Sequence, residues 1–276
     1  MTWKPIWRAS YTVNVGGADT TLWWNEEALN RLNLWFDDAD ALLTPVWEWQ
    51  RTSSHVDISP SRRAATVRIV SDASTSADIQ QLTALCNTAI ANKTPGVFGI
   101  VMGNSPGYTS ELRCYMVPGA VTDWYFKEGF MRQEFDIVPV DEYWYRSLGN
   151  PHINAGAYGQ ITVTSPLGLD FDVTWASPAG TDPKITVTPQ SGSTSSFTNV
   201  YGVDATASGK VFISTRDRAV TIDGANGYDK RIDGAMGSGS YIFEALPVGI
   251  HKVTNNGTSA CDITTYKRLA APEWAE

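Results

Sequence analysis

The sequence predicts a mainly β protein built from two strand-rich domains, the first of which carries one α-helix. Most of the chain consists of short segments in which aromatic and β-branched residues alternate with polar ones. One segment has the three- and four-residue spacing of a helix instead. The aromatic content falls from 20 in the first 150 residues to 11 in the remaining 126, while glycine rises from 9 to 14. The composition therefore changes between two parts of the chain.

Strands are predicted over most of the first part. The strand-like segments are WKPIWRA, YTVNV, TLWW, PVWEWQ, ATVRIV, VFGIVM, ELRCYMV and the long WYFKEGFMRQEFDIV. Each combines aromatic or β-branched residues with period-two alternation, which is typical of strands with one buried face. We therefore expect a sandwich-like first domain.

One helix is predicted in the first part, within STSADIQQLTALCNTAIANKTPG. Ser76 can cap its start, Asp78 suits the positive first turn, and Pro95 with Gly96 ends it. Its apolar stripe consists of Ile79, Leu82, Leu85, Cys86, Ala89 and Ile90. We expect this stripe to pack against the sheet as core, and a groove for a partner is the alternative.

The stretch VDEYWYRSLGNP marks the predicted domain boundary. Tyr143, Trp144 and Tyr145 stand in a row there, and the segment NPHINAGAYGQ that follows has no hydrophobic period and is rich in Gly, Pro and Asn. We therefore divide the chain into a domain of residues 1–148 and a domain of residues 149–276.

An antiparallel sandwich is predicted for the second part. Its strand-like segments are ITVTS, LDFDVTW, KITVTP, KVFIST, AVTID, SYIFEAL, HKVTN and CDITTYK. Turns separate them at intervals of about 8 to 12 residues, as in sandwich domains. We expect Val211 and Ile213 to share one core with Val220 and Ile222 across the tight turn at 216–218.

The charge and the N-terminal residues argue against two classes of partner. The formal charge is −8, from 29 acidic and 21 basic residues, and no basic run could follow a phosphate backbone. MTWKPIWRAS lacks the apolar stretch of a signal peptide, and no apolar run approaches the ~20 residues of a membrane helix. We expect folding in a reducing cytoplasm, no sequence-specific nucleic-acid binding and no membrane partner.

The cysteines do not indicate a disulfide framework or a zinc site. Cys86, Cys114 and Cys261 are odd in number, widely spaced and without a nearby histidine. Buried free thiols are the prediction, and neither a metal nor a cofactor is predicted.

No catalytic signature survives inspection of its context. GNSPG at 103–107 fits the nucleophile-elbow pattern, but a strand rather than a helix is predicted to follow it. His55, His152 and His251 are far apart and are expected at the surface or in loops. DGANGYDKRIDG at 223–234 lacks the Gly and Glu of a helix-flanked calcium loop, so turns explain its Asp-Gly pairs. The chain is predicted not to be an enzyme.

The tryptophans of the first part are candidates for surface contacts. Trp23 and Trp24 are adjacent and point to opposite faces of a strand, whereas Trp47 and Trp49 share a face. Some of them belong to the core. An exposed one can anchor a subunit interface or stack on a sugar.

These features together resemble the distal tail proteins of phages. A strand-rich domain that closes on a proline followed by DEYWY resembles the end of their ring-forming domain. VFISTRDRAVTIDGANGYDKRIDG is similar to the strand, turn, TID, turn and NG passage of their galectin-like C-terminal sandwich. YIFEALPVGIHKVTNNG resembles their F-x-x-L-x-x-G-x-N-x-I passage, with His251 where the family often has Asn, and ITTYKRLAAPEW resembles their final strand.

The resemblance implies a virion scaffold. Its N-terminal domains, residues 1–148 here, would form a ring of six subunits around a central channel, with the galectin-like domains outward. The implied partners are other copies of the chain, the tail tube protein, the tail hub protein and, in some phages, host-binding proteins. DNA would only pass through, and six copies would carry a formal charge of −48. The protein would be made and assembled in the host cytoplasm. In the virion it would lie at the distal end of the tail.

The resemblance also suggests a role for the boundary aromatics. We expect Tyr143, Trp144 and Tyr145 to pack at the domain junction rather than to contact a ligand. A carbohydrate-binding protein with a lectin-like sandwich is the alternative function, because such sandwiches support many functions.

Overall fold

A computed structural model describes most of the chain. The described residues are 8–24, 32–45, 47–51, 56–60, 64–72, 76–102, 109–125, 130–176, 178–190, 198–232, 234–235 and 243–273. The chain divides into two compact units, Met1–Arg146 with Leu269–Glu276, and Ser147–Arg268. The sequence-based division assigns the last eight residues to the second domain, whereas they group here with the first unit.

The first unit is built from strands and two helices, as far as the structure describes it. The strands are β1 Arg8–Val15, β2 Ala18–Trp24, β3 Leu34–Asp38, β4 Trp47–Arg51, β5 Val56–Pro60, β6 Ala65–Asp72, β7 Gly96–Val101, β8 Thr109–Tyr125, β9 Phe130–Pro139 and the start of β10 Trp144–Gly149. The helices are α1 Asp40–Leu43 and α2 Ser76–Ala91. The mainly β class is confirmed, and the single turn of α1 is an addition that the sequence pattern did not predict.

The main sheet of the first unit curls until its edges approach each other. Among the described residues its antiparallel order is β2-β1-β7-β8-β9-β6-β3. Leu32, just before β3, donates its backbone N–H to the carbonyl of Trp23 at 2.9 Å. The rings of Trp24 on β2 and Phe36 on β3 lie 6.0 Å apart. We call this meeting of the two edge strands the seam.

The segment WYFKEGFMRQEFDIV does not form one strand. β8 ends at Tyr125, β9 begins at Phe130, and these two residues pair in an antiparallel register. The chain therefore reverses within the segment, and only the short polar stretch KEG marks this hairpin in the sequence.

Helix α2 packs its predicted stripe on β8, β1 and β6. Five residues of the stripe are buried: Ile79, Leu82, Leu85, Cys86 and Ala89. Ile90 is exposed, so the prediction was wrong for this residue, which lies in the last turn at the margin of the stripe. The Asp78 carboxylate accepts a hydrogen bond from the backbone N–H of Asn33 at 2.8 Å, which ties the first turn to the residue before β3.

The C-terminus of α2 ends in a left-handed turn at Lys93. The backbone N–H of Lys93 donates to the carbonyl of Ile90 and that of Thr94 to Ala89, at 3.1 and 3.0 Å, which is a Schellman arrangement. Lys93 has a φ of 53°, a conformation that glycine adopts without steric cost.

We expect Lys93→Gly to raise the free energy of unfolding by about 1 kcal/mol, because it relieves this steric cost. Urea unfolding measures the change. Gln81→Gly, on the exposed face of the same helix, is the control and should lower stability by about 1 kcal/mol. Destabilisation by both variants would contradict a steric cost at Lys93.

The second unit contains thirteen strand segments in the residues that the structure describes. They are β11 His152–Ile153, β12 Tyr158–Val163, β13 Leu169–Trp175, β14 Gly180–Thr181, β15 Lys184–Pro189, β16 Asn199–Gly202, β17 Thr206–Ala207, β18 Val211–Ser214, β19 Ala219–Ile222, β20 Ala225–Asn226, β21 Gly234–Ala235, β22 Gly249–Asn255 and β23 Cys261–Leu269.

Two antiparallel sheets enclose the core of the second unit, within the described ranges. One has the order β11-β23-β13-β18-β19-β20 and the other β12-β22-β15-β16-β21. The rings of Phe171 from the first sheet and Tyr201 from the second lie 4.8 Å apart at 80°, so the two sheets share one core. The predicted sharing of that core across the 216–218 turn is confirmed, because Val211 and Ile213 pair with residues 222 and 220.

Two predictions were wrong in the second unit. Within SYIFEAL, residues 243–246 form no strand, and Leu246 makes only an isolated bridge to Leu169. His251 is buried on β22 rather than lying at the surface, and its Nε2 lies 2.8 Å from the carbonyl oxygen of Pro247. A histidine with a backbone partner can occupy a core-facing strand position.

Candidate functional site

Four aromatic rings form the centre of the core in the first unit. Trp24 lies 5.9 Å from Phe98, Phe36 lies 6.4 Å from Phe98, and Phe98 lies 6.2 Å from Trp144, between ring centroids. Aromatic pairs at such separations add to the stabilisation that burial provides. This cluster joins the two seam strands, β2 and β3, to β7 and β10. All four strands therefore contribute to one core.

The four candidate tryptophans have different environments. Trp23 and Trp47 are 36% and 47% exposed. Trp24 is fully buried in the aromatic cluster, so its prediction as a surface contact was wrong. The Trp49 side chain lies outside the described residues. Trp35, which sequence reasoning missed, is 46% exposed on β3, and its position between two apolar residues concealed its outward orientation.

Trp23 and Trp35 flank the seam on its outer side, and we call them the seam tryptophans. Their neighbours Trp24 and Phe36 point into the core, so both indole rings face outward by strand alternation. The Arg8 guanidinium lies 4.7 Å from the centroid of Trp23, a cation–π geometry. Exposed tryptophans, one of them stacked under a guanidinium, are suited to anchoring an interface.

Asp141 fixes the turn that precedes the boundary aromatics. Its buried carboxylate accepts hydrogen bonds from Arg113, at 2.9 Å from Nε and at 2.7 Å from Nη2. The carbonyl of Arg113 accepts the backbone N–H of Val140 at 2.8 Å. The turn is therefore tied to β8 through both side chain and backbone.

The boundary aromatics belong to the packing of the first unit. Trp144 and Tyr145 are buried, and Tyr143 is half-buried. The rings of Tyr143 and Tyr145 lie 6.5 Å apart at 77°, while Trp144 contacts Phe98 in the aromatic cluster. Strand alternation therefore places Trp144 on the inner face of the sheet and the two tyrosines on the other. Their role at the domain junction stays a prediction.

The residues from Leu269 onward belong to the first unit. Leu269 is buried in the core of that unit. The Glu273 carboxylate lies 2.7 Å from Nη1 of Arg146, and its backbone N–H donates to the hydroxyl of Ser110 at 3.0 Å. No short-range pattern indicates this return, because its partners lie more than 120 residues and more than 160 residues earlier in the chain.

Charged side chains form a paired ladder on the outer face of β3, β6 and β9. Asp37 lies 3.6 Å from both Arg68 and Arg132, and Glu134 lies 3.3 Å from Arg68. Cross-strand neighbours of opposite charge stabilise a sheet modestly, whereas like charges in the same positions would destabilise it.

The second unit holds a buried ion pair on β13 and β23. The fully buried Asp170 carboxylate lies 2.6 Å from Nε and 2.9 Å from Nη2 of Arg268, and it accepts a hydrogen bond from Thr215 at 3.1 Å. Nearby, burial raises the pKa of Asp172, although a hydrogen bond from Tyr266 at 2.9 Å opposes the shift. Spacing along the chain does not indicate the Asp170–Arg268 pair, because the two residues lie 98 positions apart.

One aromatic side chain of the second unit is highly exposed. Tyr158 on the edge strand β12 is 71% exposed, and Nζ of Lys252 lies 4.4 Å from its ring centroid. In the segment DGANGYDKRIDG, the Asp223 carboxylate accepts hydrogen bonds from Gly209 and Ser208. This carboxylate therefore holds a turn.

The described ranges contain no group of three or more His, Cys, Asp or Glu residues arranged to hold a metal ion. The predicted free, buried thiols are confirmed, and burial raises the pKa of Cys86 and of Cys261 to about 12. The GNSPG motif lies outside the described residues. Within the described part of the chain, neither helix is both long and apolar enough for a membrane span.

Comparison with solved structures gives matches that cover up to 96% of the chain. No protein-family model and no curated sequence matches it. The fold is similar to that of a chain in the phage P2 baseplate in its activated conformation with Ca, with a TM-score of 0.56, 11% identity, and 96% of this chain and 99% of that chain covered. For a chain of the phage P2 baseplate in its activated conformation with Sr, the TM-score is 0.54 and the identity is 10%. That match covers 96% of this chain and 99% of the other.

The Dit protein of phage SPP1, described as a hub adsorption protein of phages that infect Gram-positive bacteria, matches with a TM-score of 0.43, 13% identity, and 86% and 91% coverage. The resemblance stated from the sequence is confirmed as a fold shared with a phage baseplate chain.

Proposed function

We propose that the chain is a structural virion protein that assembles into a ring at the distal end of a phage tail. The ring would join the tail tube to the hub and leave a channel for DNA. The fold shared with a phage P2 baseplate chain over 96% of this chain supports the proposal, because the likeness extends over both units. The protein acts in this proposal by shape and by contacts, and not as an enzyme.

Ring formation needs two different surfaces on each copy. A contact between unlike patches closes into a ring when its rotation divides a full turn, and six copies is the number that the family resemblance implies. The exposed seam tryptophans supply one such surface, because Trp residues are enriched in interfaces. The other partners in the proposal are the tail tube protein, the tail hub protein and host-binding proteins.

The distribution of charge supports an arrangement with the first units around the channel. The first unit has 12 Lys and Arg residues against 19 Asp and Glu, a formal charge of −7. The second unit has 9 against 10, a formal charge of −1. A channel lined by first units would repel the phosphate backbone and let DNA pass without being held.

Native mass spectrometry and negative-stain imaging of the purified protein test the proposal. We expect closed rings, formed either by the protein alone or on the ends of isolated tail tubes. A strict monomer under both conditions would contradict the proposal. A monomer that binds cell-wall polysaccharide would instead favour the carbohydrate-binding alternative, for which the exposed Tyr158 is the best candidate contact.

A further inference from the structure

A second apolar surface lies on the outer face of the sheet in the first unit. We define it as the valine patch, which consists of Tyr115, Val117, Val138 and Val140. Val138 and Val140 are 39% and 42% exposed. Tyr115 pairs directly with Val138 across β8 and β9, and Val117 is two residues further along the same face. Four apolar side chains in adjacent positions mark an interaction site more than scattered ones do.

The charged groups around the valine patch are satisfied within the chain. Arg113 pairs with Asp141 at 2.7 Å at one border. At the other border, the Asp136 carboxylate accepts a hydrogen bond from the hydroxyl of Thr66 at 2.6 Å, and the paired ladder of β3, β6 and β9 continues beyond it. The Thr66 hydroxyl carries no charge that would offset the Asp136 carboxylate, so this border can receive a cation from another copy.

The valine patch and the seam tryptophans lie on opposite sides of the first unit. β8 and β9 occupy the middle of the strand order, and the seam joins its two ends. In a sheet curled until its ends approach, the middle strands lie across from the seam. Both surfaces face outward, because the inner face of each strand packs on the core around α2.

We propose that the valine patch of one copy binds the seam tryptophans of the next copy, head to tail around the ring. This inference rests on the proposed function and names the surfaces that would build the ring. An indole ring on an aliphatic patch is an effective anchor. The Arg8 guanidinium stacked on Trp23 would add a positive charge to the seam side of this contact, and the Asp136 carboxylate at the border of the patch would add a negative one to the other side.

Two single variants, each of which disables one surface, test the contact in the full chain. Val138→Lys alters the patch, and Trp23→Ala alters the seam. Each should lower the fraction of protein in rings more than tenfold in native mass spectrometry. Ile90→Lys introduces the same charge at an exposed site on α2 and should leave the rings intact. Val138→Thr, a smaller change, should weaken the rings less than Val138→Lys.

A mixing experiment separates a head-to-tail contact from a symmetric one. The Val138→Lys chain keeps its seam, and the Trp23→Ala chain keeps its patch. Neither should associate alone, while a mixture should form one-to-one dimers and no rings. Dimers of the Trp23→Ala chain alone would show that the patch binds itself, and would overturn the proposal.

The outcomes distinguish this inference from the proposed function. Wild-type rings that persist in both variants would overturn the inference and leave the ring proposal standing. Rings that persist in Val138→Lys while binding to isolated tail tubes is lost would assign the patch to another tail protein, and would also overturn it. Wild-type protein without rings, alone or on tubes, would contradict both. Unchanged thermal unfolding confirms that each variant is folded.

Discussion

Trp144→Ala is expected to lower the free energy of unfolding of the first unit by about 3 to 5 kcal/mol. The side chain is buried, and its ring packs against Phe98 in the aromatic cluster that joins the seam to β10. The truncation removes this contact and leaves a cavity that close-packed neighbours fill only in part. Amide hydrogen exchange of α2, measured by mass spectrometry, reports the stability of this unit.

Trp35→Ala provides a control of the same residue type for the Trp144 prediction. Its ring is exposed on the outer face, so the expected loss is within about 0.5 kcal/mol. Trp144→Phe keeps an aromatic ring beside Phe98 and should lose less than the alanine variant. A loss below about 1 kcal/mol for Trp144→Ala would contradict the central place of this residue in the core.

Asp170→Ala is expected to destabilise the second unit by about 3 to 5 kcal/mol. The variant leaves the Arg268 guanidinium, with a side chain only 20% exposed, without its carboxylate partner. A buried charge that loses its opposite charge costs far more than the intact pair contributes. Urea unfolding with hydrogen exchange of β13 measures the effect.

Two further variants test the cause of the Asp170 effect. Asp262→Asn alters the 2.7 Å contact between the Asp262 carboxylate and Nδ1 of His152, whose side chains are 58% and 57% exposed, and should cost about 1 kcal/mol or less. Replacing Asp170 with Leu and Arg268 with Met removes both charges and should recover part of the stability that Asp170→Ala loses. Equal losses in the Asp170 and Asp262 variants would contradict an explanation based on burial.

The spacing of apolar residues was sufficient to predict a helix or strand where that element buries one face. The α2 stripe and the β18–β19 pair follow from spacing alone, because a misplaced register would expose apolar side chains in each case. Ile90 shows the limit of such predictions, since a residue at the margin of an apolar stripe can lie on the buried or on the exposed side of the helix. The β8–β9 hairpin was missed for a different reason, because only the short stretch KEG separates its two strand patterns in the sequence.

The candidate surfaces depended on contacts between distant residues. Trp24 and Trp35 differ little in local sequence, yet one is buried against Phe98 and the other faces outward. Strand alternation places Trp24 on the inner face of β2 and Trp35 on the outer face of β3, but the local sequence does not indicate which alternating set faces the core. The Asp170–Arg268 pair and the return of Glu273 to Arg146 likewise join residues about one hundred or more positions apart, which neither propensity nor spacing encodes.

The return of residues after 268 to the first unit has a consequence for the order of events during translation. All residues of the second unit, Ser147–Arg268, leave the ribosome before Leu269 and Glu273 become available to the first. Domains of nascent chains usually mature in the order of synthesis. Here the later-made unit can finish first, while the earlier one waits for its closing segment.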